Sequence, residues 1–198
     1  TAITSQNTKN FFDVKPVSSS LVKSQIRSIL EDFHIDAIKI GMVYDKQTIR
    51  SIHHELEKIK QPIILDPIFK STTGGILQKE NALSDFKKLL IPLSYIITPN
   101  VTEAEKISGD KIRSLDDMKD VARKIQKLGV QNVIIKGGHF FSGSKVNDVL
   151  LDGENFHVFV HDRLKIENHG GGCTFSASLC ANIARGKRLK DAVDSARL

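Results

Sequence analysis

Four short apolar runs constrain this chain more than anything else in it: IKIG at 38–41, PIILD at 62–66, YIIT at 95–98 and NVIIK at 132–136. None alternates apolar with polar residues. A strand with one wet face does alternate, whereas a parallel strand covered on both faces reads as a continuous apolar run. The stretches between them carry the helical period. Leu21, Val22, Gln25, Ile26, Ile29, Leu30 and Phe33 follow serines 18–20, which suit an N-cap. Ile49, Ile52, Leu56 and Ile59 form a second stripe, and Leu83, Phe86, Leu89 and Leu90 a third. A fourth runs from Leu115 through Met118, Val121, Ala122, Ile125 and Leu128 to a closing Gly129. Strand and helix in alternation, with right-handed crossovers, predict an α/β fold: an open, mostly parallel, doubly wound sheet with helices on both faces. Residues 146–166 read as two or three short strands around Asp152-Gly153. The run 170–186 reads as a glycine turn entering a buried helix, and a last helix begins near Leu189.

Length and composition narrow the function classes. With 198 residues, 40% apolar and 26% charged, the chain is predicted to form one soluble domain over 1–198. No apolar run reaches membrane length, and TAITSQNTKNFF lacks the regions of a secretory signal. The two cysteines, Cys173 and Cys180, fall about two turns apart on one predicted helix, too far to bridge, which points to a reducing, cytoplasmic setting. The net charge of +6 is spread over every helix, and the chain has no Trp and only two Tyr to stack bases, so no nucleic-acid partner is expected.

Ligands of open α/β sheets sit at the carboxyl ends of the strands. That rule sets Gly41-Met42, Asp66, Asn100 and Lys136 along one rim. Gly170, Gly171 and Gly172 precede a helix, so their N–H groups can converge on an anion, with Cys173 in the first turn. Asn100 and Glu103 are three apart, on one helical face; an amide and a carboxylate there suit Mg²⁺, and they equally suit an ordinary cap. Lys136 ends a buried strand before two glycines, placed either to reach a polyphosphate or to snorkel outward. Asp66 before Pro67 is a rim carboxylate or a turn starter. Neither a Walker loop nor a zinc-ligand spacing occurs. An anion hole, a candidate base, two metal-positioning groups and a cation on one rim form the set phosphoryl transfer needs.

AITSQNT at 2–8, AIKIGM at 37–42, ILDPI at 64–68, IITPNVTEAE at 96–105, VIIKGGH at 133–139, DVLLDG at 148–153 and NHGGGCTFSAS at 168–178 resemble, in order and spacing, the signatures of hydroxymethylpyrimidine/phosphomethylpyrimidine kinases of the ribokinase-like superfamily. The resemblance spans essentially the whole chain. It implies ATP- and Mg²⁺-dependent phosphorylation of 4-amino-5-hydroxymethyl-2-methylpyrimidine, and of its monophosphate, in thiamin biosynthesis. By the same resemblance Gln6, Met42 and Ile68 contact the pyrimidine. Asp66, Asn100 and Glu103 organise Mg²⁺ and phosphates, with Glu103 and Asp66 reaching the metal through water. Lys136 holds the ATP phosphates, while Gly170, Gly171, Gly172 and Cys173 form the anion hole and activate the hydroxyl. The partner is then a small-molecule alcohol, and a homodimer is compatible with it. Pyridoxal kinase, and a catalytically silent ligand-binding domain, stay open as alternatives.

The pattern departs from the family in three places. Gly171 stands where the family usually has threonine. The loop at 71–76 lacks the acidic residue often found after its glycine. The family's first strand with its Gly-rich loop, and its C-terminal end, have no counterpart in the residues read.

Overall fold

The apolar runs form the strands, and their residues point alternately to two separate cores. In the computed structural model, which describes residues 1–71, 73–138, 144–163 and 170–197, the main sheet contains β3 (Ile38–Ile40), β4 (Ile63–Leu65), β5 (Ile96–Ile97), β6 (Asn132–Ile135), β7 (Lys145–Asp152) and β8 (Asn155–Asp162). They lie side by side in that order; β3 to β6 are parallel, and β7 and β8 antiparallel. Leu65, Ile97, Val133 and Ile135 face one core, while Ile64, Ile96, Ile134 and Leu150 face the other. Burial on both faces is why alternation is missing from the sequence. Each such side chain contributes roughly 1.5–3 kcal/mol of burial free energy.

The helices reach the two faces by different routes. On the first lie α1 (Ser19–Asp32), α2 (Lys46–Leu56), α4 (Val101–Ser108) and α5 (Leu115–Gln126), three of which belong to the crossovers. Between α2 and β5 a helical stretch shares that face: a 3₁₀ turn at Glu80–Ala82, a single turn α3 (Leu83–Asp85), and a π turn at Phe86–Leu90. The opposite face is covered by the last two helices, α6 (Gly171–Ala184) and α7 (Leu189–Ala196), through Phe175, Leu179 and Val193. The predicted α/β sheet with helices on both faces is therefore present. Its strand order runs in one direction across the described residues.

Capping follows the sequence signals. Ser18 accepts the Leu21 N–H ahead of α1, and Asp45 accepts the Thr48 N–H ahead of α2. Only part of the α1 stripe packs: Val22 is buried and Ile26 and Leu30 lie against the core, while Leu21, Ile29 and Phe33 are exposed. β7 and β8 join through the expected turn after Asp152. Residues 164–166, predicted as strand, lie outside the described residues.

An N-terminal hairpin was not legible in the sequence. β1 (Ala2–Gln6) pairs antiparallel with β2 (Phe11–Pro16) in a sheet of its own. The ring of Phe11 occupies the space a Cβ on Gly75 would need, so the hairpin rests on Gly75. Among the described residues no helix is long and apolar enough to cross a membrane.

Candidate functional site

The parallel ladder runs past the assigned strand ends, and its last rungs carry the polar residues. The Asp66 N–H bonds to Ile40 O (2.8 Å), the Thr98 N–H to Leu65 O (2.9 Å), and the Lys136 N–H to Pro99 O (2.8 Å). A further parallel bridge joins Asn100 to Lys136. Neighbouring strands thus deliver Asp66, Thr98, Asn100 and Lys136 to one row at the carboxyl edge.

Asp66 organises that row. It is 2% exposed, and each carboxylate oxygen receives one hydroxyl and faces one ammonium. Oδ1 accepts from Thr98 Oγ1 at 3.1 Å and lies 3.5 Å from Lys136 Nζ. Oδ2 accepts from Ser176 Oγ at 2.8 Å and lies 3.8 Å from Lys39 Nζ. A buried carboxylate survives when it is paired and hydrogen-bonded in this way.

Asn100 caps α4 reciprocally with Glu103: Asn100 Oδ1 accepts the Glu103 N–H at 2.9 Å, and Glu103 Oε2 accepts the Asn100 N–H at 2.8 Å. Burial pushes the Glu103 carboxyl up to about 7, opposed by the Lys136 cation and the Asn100 N–H and reinforced by the negative charge of Asp66. Among the described residues no donor reaches Glu103 Oε1. Mg²⁺ takes one or two carboxylates together with water and phosphate oxygens. A half-buried carboxylate with a free oxygen and a raised pKa fits such an ion, since a cation restores the charged form. Asp66, with both oxygens occupied, fits contact through water.

The glycine turn completes the site. Gly170 is the N-cap of α6 with φ +81°, a left-handed conformation that glycine adopts without strain. Gly171, Gly172 and Cys173 form the first turn, and Cys173 is an exposed free thiol. A Cβ on Gly172 would stand 3.2 Å from Lys136 Nζ, so the ammonium lies directly against this turn. Helix N–H groups and a lysine thus face the same space.

That space is a cleft of about 730 Å³, in the range of small-molecule sites. Of the residues expected from sequence, Asp66, Ile68, Asn100, Glu103, Lys136, Gly170, Gly171, Gly172 and Cys173 line it together. Gln6 and Met42 do not. Gln6 is exposed near the end of β1, where the hairpin register slips, and Met42 lines an apolar groove beside α1. Ile68 links the two regions, because its Cδ1 lies 3.7 Å from where a Cβ on Gly41 would be. His139 and His169, which the family-like motifs include, fall outside the described residues.

Sequence reasoning missed Lys39, Lys70, Thr98 and Ser176. Lys70 lines the cleft, and the other three hold Asp66. Lys39 could have been found, as a lone charge inside an apolar strand. Ser176 sits in a helix among small residues and offers no comparable signal.

Comparison with known proteins bears on the family and the fold. The family described as phosphomethylpyrimidine kinase matches residues 1–198. The chain is 38% identical over 198 residues to the hydroxymethylpyrimidine/phosphomethylpyrimidine kinase of Bacillus subtilis, covering 99% of this chain and 73% of that protein. It is 36% identical over 199 residues to a thiamine biosynthesis bifunctional protein of Geobacter sulfurreducens, spanning all of this chain but only 40% of that protein's length. Among solved structures, the phosphomethylpyrimidine kinase of Clostridium difficile superposes with a TM-score of 0.85 at 38% identity, covering 99% of this chain and 80% of that one. The pyridoxal kinase of Staphylococcus aureus in complex with pyridoxal superposes with a TM-score of 0.89 at 34% identity, covering 100% of this chain and 72% of that one.

Proposed function

Because the chain belongs to the phosphomethylpyrimidine kinase family, we propose that it phosphorylates 4-amino-5-hydroxymethyl-2-methylpyrimidine with ATP, and then the resulting monophosphate, in thiamin biosynthesis. The observation that carries this reading is the convergence of Lys136, Glu103 and the first turn of α6 on one cleft. Phosphoryl transfer asks the protein mainly for position and for charge neutralisation.

In this reading the ATP phosphates lie between Lys136 and the N–H groups of Gly171, Gly172 and Cys173. Glu103 would hold Mg²⁺, with Asn100 and Asp66 contributing through water, and its chemistry there would be to neutralise phosphate charge. The substrate oxygen forms its bond to the γ-phosphorus as the bond to the bridging oxygen of ADP breaks. Cys173 orients the substrate hydroxyl, whose proton passes to an oxygen of the transferred phosphoryl group. Developing charge on the transferred group falls to Lys136 and the glycine turn. Ile68 packs against one side of the ring, and Met42 and Gln6 approach it from the neighbouring groove and hairpin.

Pyridoxal is a second reading, favoured by the close superposition on the Staphylococcus aureus enzyme. It uses the same chemistry on another ring. A coupled assay for ADP, with Mg²⁺, ATP and each alcohol in turn, tests the proposal. ATP-dependent phosphorylation of the pyrimidine alcohol, lost in Lys136→Ala, is the expected result. Binding of the alcohol without ADP release would overturn it in favour of a silent binding domain.

A further inference from the structure

Ser176 is fully buried on α6, one turn after Cys173, and its hydroxyl has two acceptors within reach. One is Asp66 Oδ2 at 2.8 Å, from a residue 110 positions away in sequence. The other is the carbonyl of Cys173 at 3.1 Å. A hydroxyl has a single proton to donate. The shorter contact, to an ionised acceptor, takes it, since charge-assisted hydrogen bonds are shorter and stronger than neutral ones.

We propose that Ser176 is a positioning residue for phosphoryl transfer: its hydrogen bond to Asp66 fixes the first turn of α6, and with it Cys173 and the glycine N–H groups, relative to Lys136. This inference rests on the kinase reading above. Asp66 Oδ1 already holds Lys136 at 3.5 Å and Thr98 at 3.1 Å, both delivered by the sheet. Oδ2 accepts from the helix through Ser176 at 2.8 Å, with Lys39 of β3 3.8 Å away. The carboxylate is therefore the joint between two rigid bodies, and Ser176 is the only hydroxyl on α6 that bonds to it among the described residues. Lys136 Nζ lies where a Cβ on Gly172 would be 3.2 Å away, so a small shift of α6 changes the gap in which the transferred phosphoryl group must sit. Misplacement on that scale costs the chemical step more than binding.

The test compares wild type with Ser176→Ala and with Ser176→Thr, which keeps the hydroxyl. Steady-state kinetics are measured with ATP and Mg²⁺ on whichever of the pyrimidine alcohol and pyridoxal the wild type uses faster. Ser176→Ala is expected to lose about tenfold or more in kcat, with KM for ATP and alcohol within about twofold, and Ser176→Thr to recover most of that loss. Should the added methyl of Thr prevent folding, the kcat-against-KM split in Ser176→Ala decides alone. An unchanged kcat in Ser176→Ala, or a loss confined to melting temperature, would overturn the inference and leave the kinase reading intact. No ATP-dependent turnover of either alcohol by the wild type would overturn that reading and the inference with it.

Discussion

Asn100 and Glu103 close a reciprocal cap on α4, each side chain accepting the other's backbone N–H, at 2.9 and 2.8 Å. The sequence offered a helix cap and a metal-positioning pair as alternatives. The geometry makes them compatible, because the cap uses only Oε2 of Glu103, and Glu103 lines a cleft whose other walls carry Lys136 and the glycine turn.

The Glu103 carboxyl, raised to about 7 by burial, gives a pH signature. Between its ordinary value of 4.5 and about 7, the folded chain holds a proton that the unfolded chain has released. Its contribution to stability is full below the ordinary value and is lost as pH rises through about 7. Gln stays neutral and still accepts at this helix position. Thermal melts should therefore show Glu103→Gln gaining on wild type by ~3 °C or more between about pH 5 and about pH 8. A gap that is flat with pH contradicts the assignment. ATP with Mg²⁺ should narrow the gap at high pH.

Gly137 follows Lys136, and a Cβ there would overlap Asn147 O, a backbone atom of β7 that has no rotamer to escape through. The Gly137 N–H is also held by Asp148 Oδ1 at 2.9 Å. Gly137→Ala should cost about 1–3 kcal/mol in denaturant unfolding. It should also raise KM for ATP more than KM for the alcohol, because the displaced segment carries Lys136. A variant as stable as wild type would show that the strand end has room to move.

Gly171 is the opposite case. Among the described residues nothing lies within 4 Å of a Cβ built there, and its φ is not in the left-handed region. Gly171→Thr, which supplies the residue the family usually carries, should leave the unfolding free energy within about 0.5 kcal/mol of wild type. Turnover should be equal or higher. A clear loss of kcat would mean that this chain's anion hole is adapted to glycine.

Cys173 is exposed in the first turn of α6 and lines the cleft. Only the transition state needs the oriented hydroxyl, so Cys173→Ala should lower kcat by about tenfold while calorimetry finds the alcohol bound as before. An unchanged kcat would reduce the thiol to packing.

The strands and crossovers were legible because burial on both faces leaves short continuous apolar runs, as in Ile63, Ile64 and Leu65, set between stretches of helical period. The rim residues were legible because strand ends concentrate polar groups. The N-terminal hairpin was not. Ile3 and Phe12 remain exposed on it, so the short β1 and β2 carry no core-facing alternation to read. The partners of Asp66 were also hidden, because Thr98 and Ser176 are small hydroxyl residues whose importance comes from contacts across 32 and 110 positions. Gln6 was placed by family likeness alone and Met42 also by the strand-end rule, and they are the two candidates that the cleft does not gather.

One competition experiment tests the central claim most directly. Equal concentrations of the hydroxymethylpyrimidine and of pyridoxal are incubated together with ATP, Mg²⁺ and the protein, and the two phosphorylated products are quantified at low conversion by mass spectrometry. Their ratio is the ratio of kcat/KM. A polar group that pairs with the ring amine of the aminopyrimidine finds no such amine on pyridoxal, and a polar group that ligand binding buries unpaired costs about 1–3 kcal/mol. The account predicts the pyrimidine phosphate in at least about tenfold excess. Equal amounts, or an excess of pyridoxal phosphate, would contradict the substrate assignment.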